Sequence, residues 1–309
     1  MRCMITGASG FIGSALVERL RKESDVELTV TTRSRIKAFS ENITHCQVSI
    51  TPETDWNEAL RSVDVVVHLA ARAHVLKDDS ADPLVVFRRE NTASTLNLAE
   101  QATKAGVKRF VFISSIGVNG VQNDHPFQHD DQPAPAEPYA ISKHESELGL
   151  KAIADGTGLE LVIIRPPLVY GRNSPGNFAR LIGLVRKRLP LPLASVRNRR
   201  TLLALPNLID LITVCMRHPA AAGEVFLAGD AESLSTPDLI RAIAEDLGIE
   251  PALYPFPVSI LRGTLAFIGK TAAFDRLCGS LEVDISHARD VLGWSPVVTP
   301  REGLKLAVK

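Results

Sequence analysis

Tyr139 and Lys143 stand four residues apart in the run Tyr139-Ala140-Ile141-Ser142-Lys143, downstream of a hydroxyl pair, Ser114-Ser115, that ends an apolar stretch. On a helix, residues four apart share a face. A tyrosine hydroxyl can give a proton to an alkoxide or take one from an alcohol, but with a reference pKa near 10 it needs a neighbouring cation to do so at neutral pH. Lys143 can supply that cation, and Ser115 can hydrogen-bond and orient the same substrate oxygen. The three side chains therefore fit the proton transfers that accompany movement of a hydride between a carbinol carbon and a nicotinamide. The tyrosine–lysine spacing alone also describes an exposed helical pair; its weight comes from what precedes it.

What precedes it is a glycine turn. Arg2 to Ile5 reads as a buried parallel strand, while Phe11, Ile12, Ala15, Leu16 and Leu20 recur as one helix face would. Gly7, Gly10 and Gly13 lie between and within them, where a tight turn and a close backbone approach suit a dinucleotide pyrophosphate at the helix N-terminus. Phe11 and Ile12, opening that helix, join the glycines as expected cofactor contacts.

A second strand, Val26 to Thr32, ends in Thr32-Arg33-Ser34-Arg35. This strand end commonly selects the cofactor, and Arg33 in place of an acid favours the 2′-phosphate of NADP(H) over NAD. A third strand is expected near His45 to Ile50, a short helix over Asp55 to Ser62, and a fourth strand over Val63 to Leu69. The small residues Ala70 and Ala71, with Leu69, would leave room beside the cofactor. His68, among apolar neighbours, reads as a hydrogen-bonded core histidine rather than a base. In the helical segment Asp82 to Ala105, Asn91 and Thr95 lie one turn apart and can be buried beside cofactor or substrate. A fifth strand, Arg109 to Ser115, leads into a polar, proline-rich stretch and a helix opening at Pro138. His125 and His129 share that stretch with Asp130 and Asp131, but lack a matched third ligand, so no metal is expected.

The whole chain sets outer limits. Its 309 residues hold 35 basic and 35 acidic side chains, a formal net charge of zero, which gives no general attraction to nucleic acid or an anionic membrane. Cys3, Cys46, Cys215 and Cys278 are widely separated, and the sequence opens directly on the first strand, so a cytoplasmic protein with reduced thiols and no signal peptide is expected. The apolar segment Val258 to Phe274 is interrupted by Arg262 and Lys270; it reads as a partly buried helix and not an integral membrane span.

Five motifs in order, TGASGFIG, HLAA, SSIGVNG, YAISK and RPPLVYG, resemble the extended short-chain dehydrogenase/reductase family, in its NAD(P)-dependent sugar epimerase/dehydratase group. The resemblance implies a doubly wound parallel α/β sheet (Rossmann) with a smaller interleaved C-terminal substrate lobe. Residues 1–165, completed by about 201–230, would bind the dinucleotide, and 166–200 with 231–309 the nucleotide sugar. The sheet would be completed by Thr201 to Leu205 or Glu224 to Leu227. It further implies that Ser115, Tyr139 and Lys143 are catalytic and that Lys143 also meets the nicotinamide ribose. Arg165 to Gly171, with Pro166, would pass the nicotinamide. Asn177 and Arg200 would meet the nucleotide diphosphate of a UDP-sugar. Leu168 departs from the asparagine common in epimerases, and Ser49 stands where the family has an acid. Ile116 and Gly117 replace the Asp-Glu pair that dehydratases carry, which argues against dehydration.

The segment from Gly279 to Asp284, followed by Leu292-Gly293-Trp294-Ser295-Pro296, is similar to bacterial reductases of UDP-4-keto-6-deoxy-N-acetylhexosamines, enzymes of surface polysaccharide and lipopolysaccharide biosynthesis. With Arg33, this favours an NADPH-dependent 4-ketoreductase. The alternatives are a UDP-glucose or UDP-N-acetylglucosamine 4-epimerase holding NAD tightly, and a non-catalytic nucleotide-sensing relative. Family members often form homodimers through the helices beginning near Asp82 and Pro138.

Overall fold

The computed structural model describes residues 1–34, 43–73, 82–267, 269 and 271–308; Arg35 and Lys270 lie outside them. In chain order its first half runs β1 (Arg2–Thr6), α1 (Phe11–Leu20), β2 (Glu27–Thr32), β3 (Ile43–Gln47), β4 (Val65–His68), α2 (Pro83–Phe87), α3 (Ser94–Lys104), β5 (Arg109–Ile113), α4 (Pro138–Thr157) and β6 (Glu160–Arg165). There follow β7 (Val169–Tyr170), α5 (Asn177–Arg186), β8 (Leu203–Ala204), α6 (Leu205–Cys215), β9 (Val225–Leu227), α7 (Thr236–Asp246), α8 (Val258–Phe267), α9 (Thr271–Cys278), α10 (Ser286–Leu292) and α11 (Pro300–Val308).

Seven strands form one parallel sheet in the order β3-β2-β1-β4-β5-β6-β9. The order reverses at β1, so the crevice beyond the ends of β1 and β4 is where a ligand of such a sheet binds. Alternation along the strands explains the layers: Cys3, Ile5, Val30 and Val67 face one way and pack with Leu16, Leu20, Leu208 and Ile212. Met4, Val66, Phe110 and Phe112 face the other, onto Trp56, Leu98 and Leu150. A third cluster, away from these two, gathers Tyr170, Phe178, Val185, Ile240, Ile243 and Leu304.

Several expectations from sequence need correcting. Residues 55–62 form turns, not a helix: one bond, Leu60 N to Trp56 O at 2.9 Å, makes a helical turn, and Ser62 at φ 59° ends it. Trp56 is wholly buried there, and its main-chain N–H donates to Gln101 Oε1, so packing overrides the helical spacing. The third strand begins at Ile43 and ends at Gln47 because it pairs with β2 from Leu28 to Thr32. Of the two candidates for completing the sheet, Val225–Leu227 joins it, beside β6. Leu203–Ala204 pairs instead with Val169–Tyr170 in a separate two-stranded sheet, so the Arg165–Gly171 run is a strand end, a bend and a second short strand. The apolar segment after Val258 is two helices where one was expected, and α8 is partly buried as expected, with Val258 and Leu261 packed against the third cluster.

Candidate active site

The glycine turn connects β1 to α1. Gly7 has φ +68°, a conformation that favours glycine, and a Cβ there would stand 2.9 Å from Ala70 N. A Cβ on Gly13 would stand 2.2 Å from Gly7 O, so the helix lies tight on the turn. Gly10 occupies the N-cap of α1 and brings no side chain to it, which leaves the first N–H groups of the helix to an anion. Phe11 and Ile12 open α1 half-buried, and the Phe11 ring lies beside Gly171.

Across the crevice, Thr6 Oγ1 accepts from Leu69 N and Ala70 N at 3.2 and 3.3 Å and meets His68 Nδ1 at 2.8 Å. Both acceptor positions of the hydroxyl are thereby used, so its proton goes to Nδ1 and Nε2–H donates to Thr95 Oγ1 at 3.0 Å. His68 is thus the bonded core histidine that its neighbours predict. Burial, with help from the Lys143 charge, pushes it down to about 3 and keeps it neutral. Asn91 is buried as well. Its Oδ1 accepts from Arg72 N at 2.7 Å, and its Nδ2 reaches Arg72 O at 3.2 Å and Ser142 Oγ at 3.1 Å. Its visible work is to tie the loop after β4, with Leu69, Ala70 and the exposed Ala71, to α4.

Ser115 follows β5 and caps a short 3₁₀ turn, its Oγ accepting from Gly117 N at 3.1 Å. A Cβ on Gly117 would lie 3.2 Å from Ala140 Cβ and 3.3 Å from Ser115 Oγ, so the start of α4 closes on the serine over a residue without a side chain. Pro138 is tolerated at the first position of α4. One turn on from Tyr139, Lys143 is 2 % exposed; its Nζ donates to Ile113 O at 2.7 Å and lies 4.3 Å from the Phe112 ring centroid. Burial pulls Lys143 down to about 7, opposed by the Glu147 charge one turn further along. The Tyr139 ring meets Phe87 edge-on at 6.1 Å, and burial pushes its phenol up to about 12.

Pro166, buried, accepts from Ile116 N at 2.9 Å and fixes the strand end opposite Ser115. Asn177 is exposed at the start of α5, after Gly176 at φ +78°. Arg200 is largely enclosed, with Nη1 on Gly279 O at 2.9 Å and no carboxylate partner among the described residues. Arg33 is exposed at the end of β2, and Gln47 Nε2 donates to its carbonyl. No group of three or more His, Cys, Asp or Glu among the described residues is placed to hold a metal. His129 instead stacks on His287 at 3.6 Å.

Three features were not singled out from sequence. Arg165 forks onto Glu147 at 3.0 and 2.6 Å and reaches Asn119 Oδ1 at 2.9 Å, all buried. Glu147 is four residues from Lys143 and could have been found by helical spacing. Asp230 gathers Tyr170 Oη, Asn207 Nδ2 and Ala204 N, joining the two-stranded sheet to α6, a long-range constellation with no local signal. Asn123 and Phe127, in the stretch between Ser115 and Tyr139, are clamped to residues 280–284 by backbone and amide hydrogen bonds.

The chain is 42% identical over 305 residues to a UDP-glucose 4-epimerase of Vibrio cholerae, covering 98% of this chain and 93% of that one. It is 30% identical over 328 residues to a UDP-glucose 4-epimerase of Mycolicibacterium smegmatis, covering 100% and 98%. Its fold matches the UDP-glucuronic acid 4-epimerase of Bacillus cereus, solved with NAD, at a TM-score of 0.82, with 22% identity over 100% of this chain and 97% of that one. Residues 3–229 match the NAD dependent epimerase/dehydratase family, and the chain belongs to it.

Proposed function

We propose that the protein is a UDP-sugar 4-epimerase that works with NAD. The observation that carries this reading is the 42% identity to a UDP-glucose 4-epimerase over 98% of the chain, which spans the sheet and the C-terminal segments alike. It displaces the 4-ketoreductase favoured by Arg33. That arginine is exposed at the end of β2, and residues 35–42 that follow it lie outside the described ones.

The cradle fits a dinucleotide. Gly7 and Gly13 leave space that a Cβ would fill, and the uncapped start of α1 offers N–H groups to a pyrophosphate. Leu69, Ala70 and Ala71 form the wall opposite, held by Thr6 and Asn91; Lys143 and Pro166 lie on the nicotinamide side. Bound NAD would supply the hydride acceptor and donor for C4 of the sugar, so that either configuration could result. Ser115 Oγ orients the C4 oxygen. Tyr139 Oη takes the proton from that oxygen on oxidation and gives it back on reduction, and the Lys143 cation holds the phenolate between the two. Ile116 and Gly117 carry no acid or base for elimination of water.

In this reading residues 166–200 and 231–309 form the sugar-nucleotide lobe, built on the third core. Arg200, without a described carboxylate partner, is available to grip the diphosphate bidentately, and Asn177 at the start of α5 would meet the same group. The test is to incubate purified protein with UDP-glucose or UDP-N-acetylglucosamine and follow C4 configuration by NMR. Interconversion with cofactor retained and no net change at the NADH absorbance supports the epimerase. Stoichiometric NADPH consumption with a UDP-4-keto-6-deoxy-N-acetylhexosamine, and no interconversion, replaces it with the reductase.

A further inference from the structure

The net charge of zero conceals a segregation. Between Glu160 and Asp210 the chain has nine basic residues and no acidic one. Arg165 and Arg199 are paired with Glu147 and Glu282, and Arg200 is held against the carbonyl of Gly279. On and just after α5, however, Arg180, Arg186, Lys187 and Arg188 are exposed and make no ion pair with a described carboxylate. Leu184 and Leu189, among them, are 39% and 42% exposed.

This basic stretch leads directly into the chain beside α8. Leu191 N donates to Ala252 O at 2.8 Å, and Tyr254 N donates to Leu191 O and Ala194 N to Tyr254 O, each at 3.1 Å. Tyr254 is 42% exposed and α8 begins four residues later. Val258 and Leu261 turn toward the third core. Ile260 and Phe267, seven residues apart and so on one helical face, are 53% and 92% exposed. From Pro251 to Cys278 the one acid is Asp275. Through the pairing of Leu191 with Ala252 and Tyr254, the described residues thus join a run of unpaired cations to the segment that leads into a half-exposed helix with large apolar side chains projecting outward.

We propose that this face, α5 with its basic continuation and the outer side of α8, docks the protein on an anionic lipid bilayer surface. Cations without carboxylate partners are attracted to anionic headgroups, and Ile260 and Phe267 suit the boundary between headgroup and acyl chain. The association is peripheral, since no helix among the described residues is long and apolar enough to cross a membrane. A nucleic acid would use the cations and could stack a base on Phe267, but it offers no acyl layer to the aliphatic Ile260, and a vesicle presents only lipid, which is what the test reads. The inference does not depend on which sugar is turned over, so vesicle binding and turnover fail separately.

The experiment is flotation of the full chain with vesicles of phosphatidylcholine alone, and with about 30% phosphatidylglycerol, at about 0.15 M salt. Binding is expected on the anionic vesicles only, falling as salt is raised. The triple variant Arg186→Glu, Lys187→Glu, Arg188→Glu should lose roughly tenfold or more of that binding, and Phe267→Ser several-fold. Both variants should keep wild-type sugar-nucleotide turnover and Tm, which separates a docking loss from misfolding. No binding, equal binding to neutral vesicles, or anionic binding indifferent to Phe267→Ser would overturn the proposal; the last would mark a purely electrostatic surface of the kind that holds RNA.

Discussion

Lys143 Nζ donates a 2.7 Å hydrogen bond to the main-chain carbonyl of Ile113, the last residue of β5. The bond ties the helix that carries Tyr139 to the strand end two residues before Ser115, so the three side chains share one rigid support. It also fixes an ammonium in the interior. The cost of that burial is measurable.

In the folded chain Lys143 sits at about 7, against 10.5 for the free side chain. Between these values the unfolded state binds more protons than the folded one, so stability rises with pH there. Below about 7 both states are protonated and the whole penalty is present. In calorimetry of the cofactor-free protein, Tm of wild type is expected to rise from about pH 7 to 9.5 relative to Lys143→Met. A constant difference between the two proteins across that window would mean that the cation is not held as described.

Tyr139, pushed up to about 12 by burial, is a poor base until positive charge is brought to it. Phenolate absorbance, taken as the difference between wild type and Tyr139→Phe, should therefore appear at lower pH in the NAD-loaded protein than in the free one. Tyr139→Phe should lower kcat by about 10²- to 10⁴-fold while retaining cofactor. Full activity in this variant would remove Tyr139 from the mechanism.

Gly13 and Gly10 make a graded pair. A methyl on Gly13 meets Gly7 O at 2.2 Å and Ala8 Cα at 2.8 Å, both backbone, whereas one on Gly10 meets Gly7 O at 3.2 Å. Gly13→Ala is expected to cost about 1–3 kcal/mol in denaturant unfolding and to empty the cofactor site, with Gly10→Ala much closer to wild-type stability. Equal stability of the two variants would contradict the packing of α1 on the turn.

The Arg165–Glu147 pair is 4% and 2% exposed and bonded at two points. Removing one partner leaves the other charge buried. Glu147→Gln should destabilise by about 3–5 kcal/mol in urea melts. A change below about 1 kcal/mol would show that solvent reaches the pair.

On the proposed NAD-dependent reading, Arg33→Ala is expected to leave the relative use of NAD and NADP unaltered, as judged by cofactor exchange and turnover. A shift toward NAD in this variant would restore Arg33 as a selector.

Much of this arrangement was legible in sequence because it is local. The glycine turn, the double serine and the tyrosine–lysine spacing each fit within a few residues, and each marks a strand end or a helix start. The same locality misplaced residues 55–62, where Trp56 and Gln101, 45 residues apart, decide the backbone. It also could not choose between Leu203 and Val225 for the sheet, since both are short apolar runs and only pairing distinguishes them. Asp230, Asn207 and Tyr170 meet from three separate segments. No spacing rule foretells such a meeting.

The clamp of Asn123 and Phe127 onto residues 280–284 has a bearing on synthesis. The stretch that separates Ser115 from Tyr139 takes its final path only when the chain near Glu282 is free to pair with it, and the parallel sheet can form well before then. A chain that has not yet released residues 280–284 from the ribosome therefore holds Ser115 and Tyr139 without the hydrogen bonds that fix the stretch between them.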